Sequence, residues 1–104
     1  MAPVLASLLL LVAADPSAPR KAYSACLVQF VQTSAQKKIT AEQFDAELAT
    51  ACTSEEQSFR RSVVSSDVSR GISRKTSEQG VSDEIADYRS TTKDRYRSTI
   101  SASN

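Results

Sequence analysis

The sequence contains no histidine and only two glycines. Histidine is the commonest general base and the commonest metal ligand in proteins, so its absence argues against most hydrolytic and zinc-dependent mechanisms. Neither Gly71 nor Gly80 belongs to a glycine-rich loop that would cradle a phosphate group. Serines and threonines are abundant, but without a histidine or a buried lysine near one, none of them has an activating base. We therefore expect a protein that is not an enzyme, with no cofactor, no metal and no small-molecule substrate.

Helix breakers are also rare, because no proline follows Pro19. Long helices therefore meet few interruptions. The sequence predicts an all-α protein, with a disulfide-stapled helical hairpin followed by one long helix or two shorter helices. We favour two helices, with the break between Gly71 and Gly80.

The N-terminal residues 1–14 predict a signal peptide. A short apolar run is followed by the small residues Ala13 and Ala14, as signal peptidases require. No basic residue precedes the run, and an ordinary N-terminal helix is the alternative. Cleavage would leave a single small helical domain over residues 15–97 and a disordered tail over residues 98–104. This organisation predicts a periplasmic or secreted protein.

The first two helices of this domain have clear sequence signals. One segment, from about Pro19 to Lys37, carries its apolar residues at spacings of three and four. After it, Thr40 and Gln43 have the spacing of a capping box, so a second helix is expected to begin at Ala41. Ile39 and Phe44 suit the accompanying hydrophobic staple. The apolar face of the second helix is expected to include the following residues: Phe44, Leu48, Ala51 and Cys52.

The two cysteines, Cys26 and Cys52, are equidistant from Ile39 in the predicted turn. An antiparallel hairpin would place them face to face, and the same register pairs Phe30 with Leu48 and Ser34 with Phe44. An even cysteine count in an exported protein favours a disulfide. Such a bridge would contribute about 3 to 4 kcal/mol. Two buried free thiols in a cytosolic protein are the alternative.

The second half of the chain carries two narrow apolar stripes at helical spacing. Thr76 and Gln79 repeat the capping pattern and could begin a fourth helix. The acidic residues are interpreted as helix-end charges that favour the positive end of the helix dipole. They are Glu55, Glu56, Asp83, Glu84 and Asp87.

Near the C-terminus, basic residues alternate with an aromatic, as they do on phosphate-binding surfaces. This run predicts an anion-binding surface for anionic lipid, lipopolysaccharide or nucleic acid. A solvated helix end is the alternative. The candidate residues are Arg89, Lys93, Arg95 and Arg97.

Two resemblances bear on function. The segment Ile39 to Gln43, and more weakly Lys75 to Gln79, resembles the Leu-Thr-x-x-Gln motif of small periplasmic chaperones, with Ile39 and Lys75 at the leucine position. That resemblance implies an all-helical, ATP-independent chaperone with a concave, partly basic surface for unfolded clients. The whole chain also resembles small exported helical proteins of alphaproteobacteria, a group without an assigned activity. It shares their two helix-borne cysteines and the pattern around Tyr88 and Tyr96.

Together these observations predict an exported, non-catalytic helical protein that binds another macromolecule. A chaperone-like or adaptor role in the cell envelope follows, with another envelope protein as the partner. The alternative is an anion-binding protein that uses its basic C-terminal helix. Thr40 and Gln43 are then either a helix cap alone or part of a recognition motif.

Overall fold

The computed structural model describes residues 15–103, and the predicted signal peptide lies outside them. The described residues form four α-helices and no strand. We number them α1 (Ser17–Lys37), α2 (Ala41–Leu48), α3 (Thr53–Ser69) and α4 (Arg74–Ala102). The all-α prediction and the two separate C-terminal helices are confirmed. None of the described helices combines the length and the apolar character needed to cross a membrane.

The turn between α1 and α2 has the predicted cap. Thr40 accepts a hydrogen bond from the backbone N–H of Gln43 and is the N-cap of α2. The reciprocal half of the capping box is missing, because the Gln43 amide donates to Glu47 instead. Lys38 ends α1 in the left-handed conformation, and its backbone N–H bonds to the carbonyl of Ala35.

The second helix is shorter than predicted. It ends at Leu48, and a turn over residues 49–52 leads directly into α3. Cys52 therefore lies at the N-cap of α3 in the left-handed conformation, not on the apolar face of α2. Cys26 and Cys52 form the predicted disulfide, with an S–S distance of 2.04 Å.

The break between α3 and α4 lies at residues 70–73, at the N-terminal edge of the predicted region. Gly71 adopts a φ of 93°, which only glycine tolerates easily. Ser73 then caps α4 by accepting a hydrogen bond from the backbone N–H of Thr76. Thr76 and Gln79 thus do not begin the helix, and Gly80 lies inside it.

The C-terminal helix also continues further than the sequence indicates. We predicted a disordered tail from Ser98, but α4 extends to Ala102. Ile100 packs against the core, and no glycine or proline interrupts the helix beyond Gly80. Apolar contact and the lack of a breaker together explain the extension.

All six aromatic residues of the chain lie in two clusters within the core. One cluster joins α1, α3 and α4 and contains Tyr23, Phe59 and Tyr88. The other joins α1, α2 and α4 and contains Phe30, Phe44 and Tyr96. The Phe30 and Phe44 rings lie 5.0 Å apart, a pair that the predicted hairpin register did not include.

Tyr96 locks the turn between α1 and α2 onto α4. Its ring stacks on Phe44 at 4.0 Å, and its hydroxyl donates to the backbone carbonyls of Ile39 and Ser34. Tyr96 and Phe44 are fully buried. The short α2 is therefore held by packing and not by its own helical propensity, since an isolated helix of eight residues is marginal.

Candidate functional site

An open groove runs over the disulfide, between α1 and the chain around the turn from α2 to α3. Its volume is about 810 Å³. Alanine methyl groups, the Phe30 ring and the disulfide supply its apolar floor. We call this the disulfide groove, and its apolar lining residues are Ala22, Ala25, Phe30 and Ala51.

The rim of the disulfide groove is polar and acidic. Gln29 and Thr33 contribute from α1, and Thr50 contributes from the turn. Among residues 15–103, the charged side chains that line the groove are Glu47 and Glu55, and none of the lining residues is a cation. The electrostatic potential at this surface is therefore negative where it is not apolar.

The two rim carboxylates belong to the helices that flank the turn after α2. Glu47 belongs to the last turn of α2, and Glu55 to the first turn of α3. Acidic side chains in the first turn of a helix interact favourably with the positive end of the helix dipole. The helix-end interpretation of Glu55 and Glu56 is thus correct for α3.

A metal site at the disulfide is chemically blocked while the bridge exists. The two sulfurs and a carboxylate oxygen of Glu55 lie within 4.8 Å of one another. Zinc binds thiolates, however, and sulfurs joined in a disulfide carry no such negative charge. Of these three residues, only Glu55 therefore remains as a metal ligand while the bridge is oxidised.

Two of the four candidate anion-binding residues are engaged in ion pairs within the chain. Arg89 pairs with Glu56 and also donates to the backbone carbonyl of Leu48, the last residue of α2. Arg97 pairs with Asp45 at 2.8 Å. Lys93 and Arg95 form no ion pair within residues 15–103. Half of the predicted set therefore fastens α4 to its neighbours.

The other acidic residues have different roles from those predicted. Asp83, Glu84 and Asp87 lie in the interior of α4, because α4 begins at Arg74 and not near them. Glu84 pairs with Arg20 at 3.1 Å, and the guanidinium of Arg20 lies 5.0 Å from the centroid of the Phe59 ring. This contact joins α1, α3 and α4 at one point.

A second basic region escaped the sequence analysis. Arg60 and Arg61 on α3 face Arg74 on α4 across a groove of about 510 Å³ near the α3–α4 turn. Pairs of basic residues on both sides of Gly71 were the available signal. The sequence analysis instead predicted a basic surface after Arg89, where cations alternate with an aromatic.

Comparisons with known proteins do not assign this chain to a family. No family model, no curated protein and no solved structure matches this chain. Function must therefore be argued from the surfaces themselves.

Proposed function

We propose that the chain is an exported, non-catalytic helical protein that binds an apolar segment of another protein in the disulfide groove. This role is chaperone-like or that of an adaptor in the cell envelope. The observation that supports it best is the combination of an apolar floor with an acidic rim that has no cation.

The floor determines what kind of segment fits. The alanines of α1 are small, so the backbone of a bound segment can approach the helix closely. Apolar side chains of the segment would then cover Phe30 and the disulfide, and the removal of apolar surface from water drives association. A narrow, extended apolar run is the ligand that this shape favours.

The rim determines which segments are preferred. Glu47 and Glu55 would attract lysine or arginine residues that flank the apolar run. Because Glu47 is exposed and Glu55 is only partly buried, these charges act on specificity and association rate more than on affinity. Apolar segments with basic flanks are therefore the proposed clients.

Export is part of the same proposal. A disulfide persists in oxidising compartments, and Cys26 and Cys52 are joined. The test is an intact mass of the protein recovered from expressing cells, with and without reductant. We expect a chain that begins at Asp15 and gains two hydrogen atoms on reduction. A full-length, reduced chain in the cytosol would contradict export.

Binding is tested with two synthetic peptides that share a central run of valine and leucine. One peptide has lysine flanks and the other has glutamate flanks. We expect the lysine-flanked peptide to bind more tightly, and the preference to shrink in Glu47→Gln with Glu55→Gln. The double variant Asp87→Asn with Asp94→Asn is the matched control, because it removes two exposed carboxylates of α4 outside the groove.

A steric variant completes the experiment. Ala25 is exposed on the floor, so Ala25→Arg should block the groove without disturbing the buried core. Peptide binding that survives Ala25→Arg, or equal affinity for both peptides, would refute the proposal. A parallel assay follows the aggregation of a thermally unfolded enzyme, which the wild-type chain should slow and Ala25→Arg should not.

A further inference from the structure

The turn between α3 and α4 exposes apolar surface that the core does not use. Val68 and Ile72 are each 40% exposed, and they are the only large hydrophobic residues exposed to this degree within residues 15–103. Val68 lies at the end of α3 and Ile72 lies in the turn. We call residues 60–75 the α3–α4 tip.

Charge is concentrated at the same place. The α3–α4 tip contains five basic residues and one acidic residue, Asp67. Residues 76–104 contain four basic and five acidic residues. The positive excess of the C-terminal half therefore belongs entirely to the tip. The basic residues of the tip are Arg60, Arg61, Arg70, Arg74 and Lys75.

The acidic residue is used internally. Asp67 accepts a hydrogen bond from Arg70 at 2.8 Å and another from the hydroxyl of Ser77 on α4, also at 2.8 Å. The backbone carbonyl of Asp67 also accepts a hydrogen bond from the N–H of Ile72. Asp67 thus fixes the turn and neutralises Arg70, but it does not neutralise the other cations of the tip.

Three of those cations remain directed to solvent. Arg61, Arg74 and Lys75 are exposed and form no ion pair within the part of the chain that the structure describes. Arg60 is partly occupied, because it donates to Ser82 and lies 3.8 Å from Glu56. Two of the free cations, Arg61 and Arg74, line one groove with Val68, and Glu78 is the acidic residue that lines it with them.

We propose that the α3–α4 tip docks on an anionic phospholipid surface. Val68 and Ile72 enter the headgroup region, and Arg61, Arg74 and Lys75 face the lipid phosphates. Charge complementarity argues for this partner, because juxtamembrane cations gain about 1 kcal/mol each near an anionic bilayer. Surfaces that combine apolar side chains with cations bind such interfaces through burial of apolar area and through attraction to anionic lipids. This inference goes beyond the protein-binding role and does not depend on the disulfide groove.

The test is co-sedimentation of the full chain with vesicles of phosphatidylcholine alone or mixed with phosphatidylglycerol. We expect binding only to the mixed vesicles, with a strong decrease at high salt. Arg74→Ala with Lys75→Ala should weaken binding about 25-fold, since each cation contributes about fivefold. Val68→Ser with Ile72→Ser should also reduce binding, although it changes no charge.

The matched control is Lys21→Ala with Lys37→Ala, which removes the same charge from exposed positions of α1. It should leave vesicle binding nearly unchanged. Every variant carries the same residues 1–14, so any contribution of that apolar run cancels in the comparison. Circular dichroism of each variant verifies that all of them remain folded.

Three outcomes would overturn the inference. The first is equal binding to both vesicle types. The second is a larger loss from the Lys21 and Lys37 control than from the tip variants. The third is tip-dependent binding to heparin without binding to vesicles, which would identify a soluble polyanion as the ligand. Loss of vesicle binding in the tip variants alone, with peptide binding intact, would support a separate membrane site.

Discussion

The two ends of α3 differ in charge, in apolar exposure and in what holds them. At its N-terminus, the disulfide and the buried aromatic clusters fix the chain, and the nearby groove is acidic. At its C-terminus, a single carboxylate fixes the turn, and the surface is basic with two exposed apolar side chains. The seventeen residues of α3 place its two ends roughly 25 Å apart.

This difference indicates that the N-terminal end of α3 contributes mainly to stability, whereas its C-terminal end mainly presents surface residues. A chain of 104 residues has room for one small core, and that core lies toward the disulfide groove and the middle of α4. The α3–α4 tip contributes Val64 to that core, but Val68 and Ile72 are 40% exposed, so these two side chains and the exposed basic residues of the tip are available for contacts outside the chain. The predictions below test this contrast, beginning with the largest effect.

The largest contrast in stability should be between Phe44 and Ile72. Phe44 is fully buried and stacks on Tyr96, so Phe44→Ala should lower the free energy of unfolding by about 3 to 5 kcal/mol. Ile72→Ala at the exposed tip should change it by less than about 0.5 kcal/mol. Urea denaturation followed by circular dichroism measures both. Similar losses at the two positions would remove the contrast.

The disulfide should be the next largest contribution. Replacing Cys26 and Cys52 together by serine should cost about 3 to 4 kcal/mol, because the bridge closes a long loop in the unfolded chain. The same denaturation experiment measures the loss, and reduction of the wild-type protein is the control. A stable, fully folded double variant would show that packing alone holds the N-terminal end of α3.

Two buried tyrosines provide a finer comparison. The Tyr96 hydroxyl donates to Ile39, so Tyr96→Phe should cost about 1 kcal/mol. The Tyr23 hydroxyl is buried without an acceptor in residues 15–103, so Tyr23→Phe should be neutral or stabilising. Thermal unfolding measures the stability of both variants. A less stable Tyr23→Phe than Tyr96→Phe would contradict these hydrogen-bond assignments.

The same tyrosines predict the response to alkaline pH. Burial raises the pKa of Tyr23 and of Tyr96 above the ordinary value of 10.0. In the unfolded chain they ionise first, so stability is full below about pH 10 and decreases as pH rises above it. Unfolding at a series of alkaline pH values should show this decrease, and it should be smaller in Tyr23→Phe with Tyr96→Phe. An unchanged pH dependence in that double variant would contradict the prediction.

Substitutions at the two glycines should have effects of opposite sign. Gly71 has a φ of 93°, so Gly71→Ala should destabilise the protein by about 1 to 2 kcal/mol. A methyl group at Gly80 would meet no atom within 4 Å, so Gly80→Ala should stabilise α4 by about 0.5 to 1 kcal/mol. Melting temperatures of the two variants should therefore move in opposite directions, and a shift in the same direction would contradict the assigned turn.

The sequence predicted those features of the fold that depend on interactions between residues close together in the chain. Thr40 caps α2 because its spacing to Gln43 suits the hydrogen bond, and the all-helical pattern follows from the lack of breakers. The equal distances of Cys26 and Cys52 from Ile39 predicted the bridge. These features depend on residues close together in sequence or on one symmetric turn.

Tertiary contacts decided the remaining features. Residues 49–51 contain no helix breaker, yet α2 ends before them, because the chain turns to bring Cys52 to Cys26 and to begin α3. Arg89 is recruited by a carbonyl of α2 and by Glu56 of α3, and neither is near it in sequence. The basic tip forms only when the α3–α4 turn brings Arg61 and Arg74 together.

The most direct test of the central claim follows backbone amide resonances while the lysine-flanked peptide is added to the full chain. We predict shifts at Ala25, Phe30, Ala51 and Glu55 around the disulfide groove, and none across the α3–α4 tip. Shifts confined to the tip, or no shifts at any concentration, would contradict the assignment of protein binding to the acidic groove.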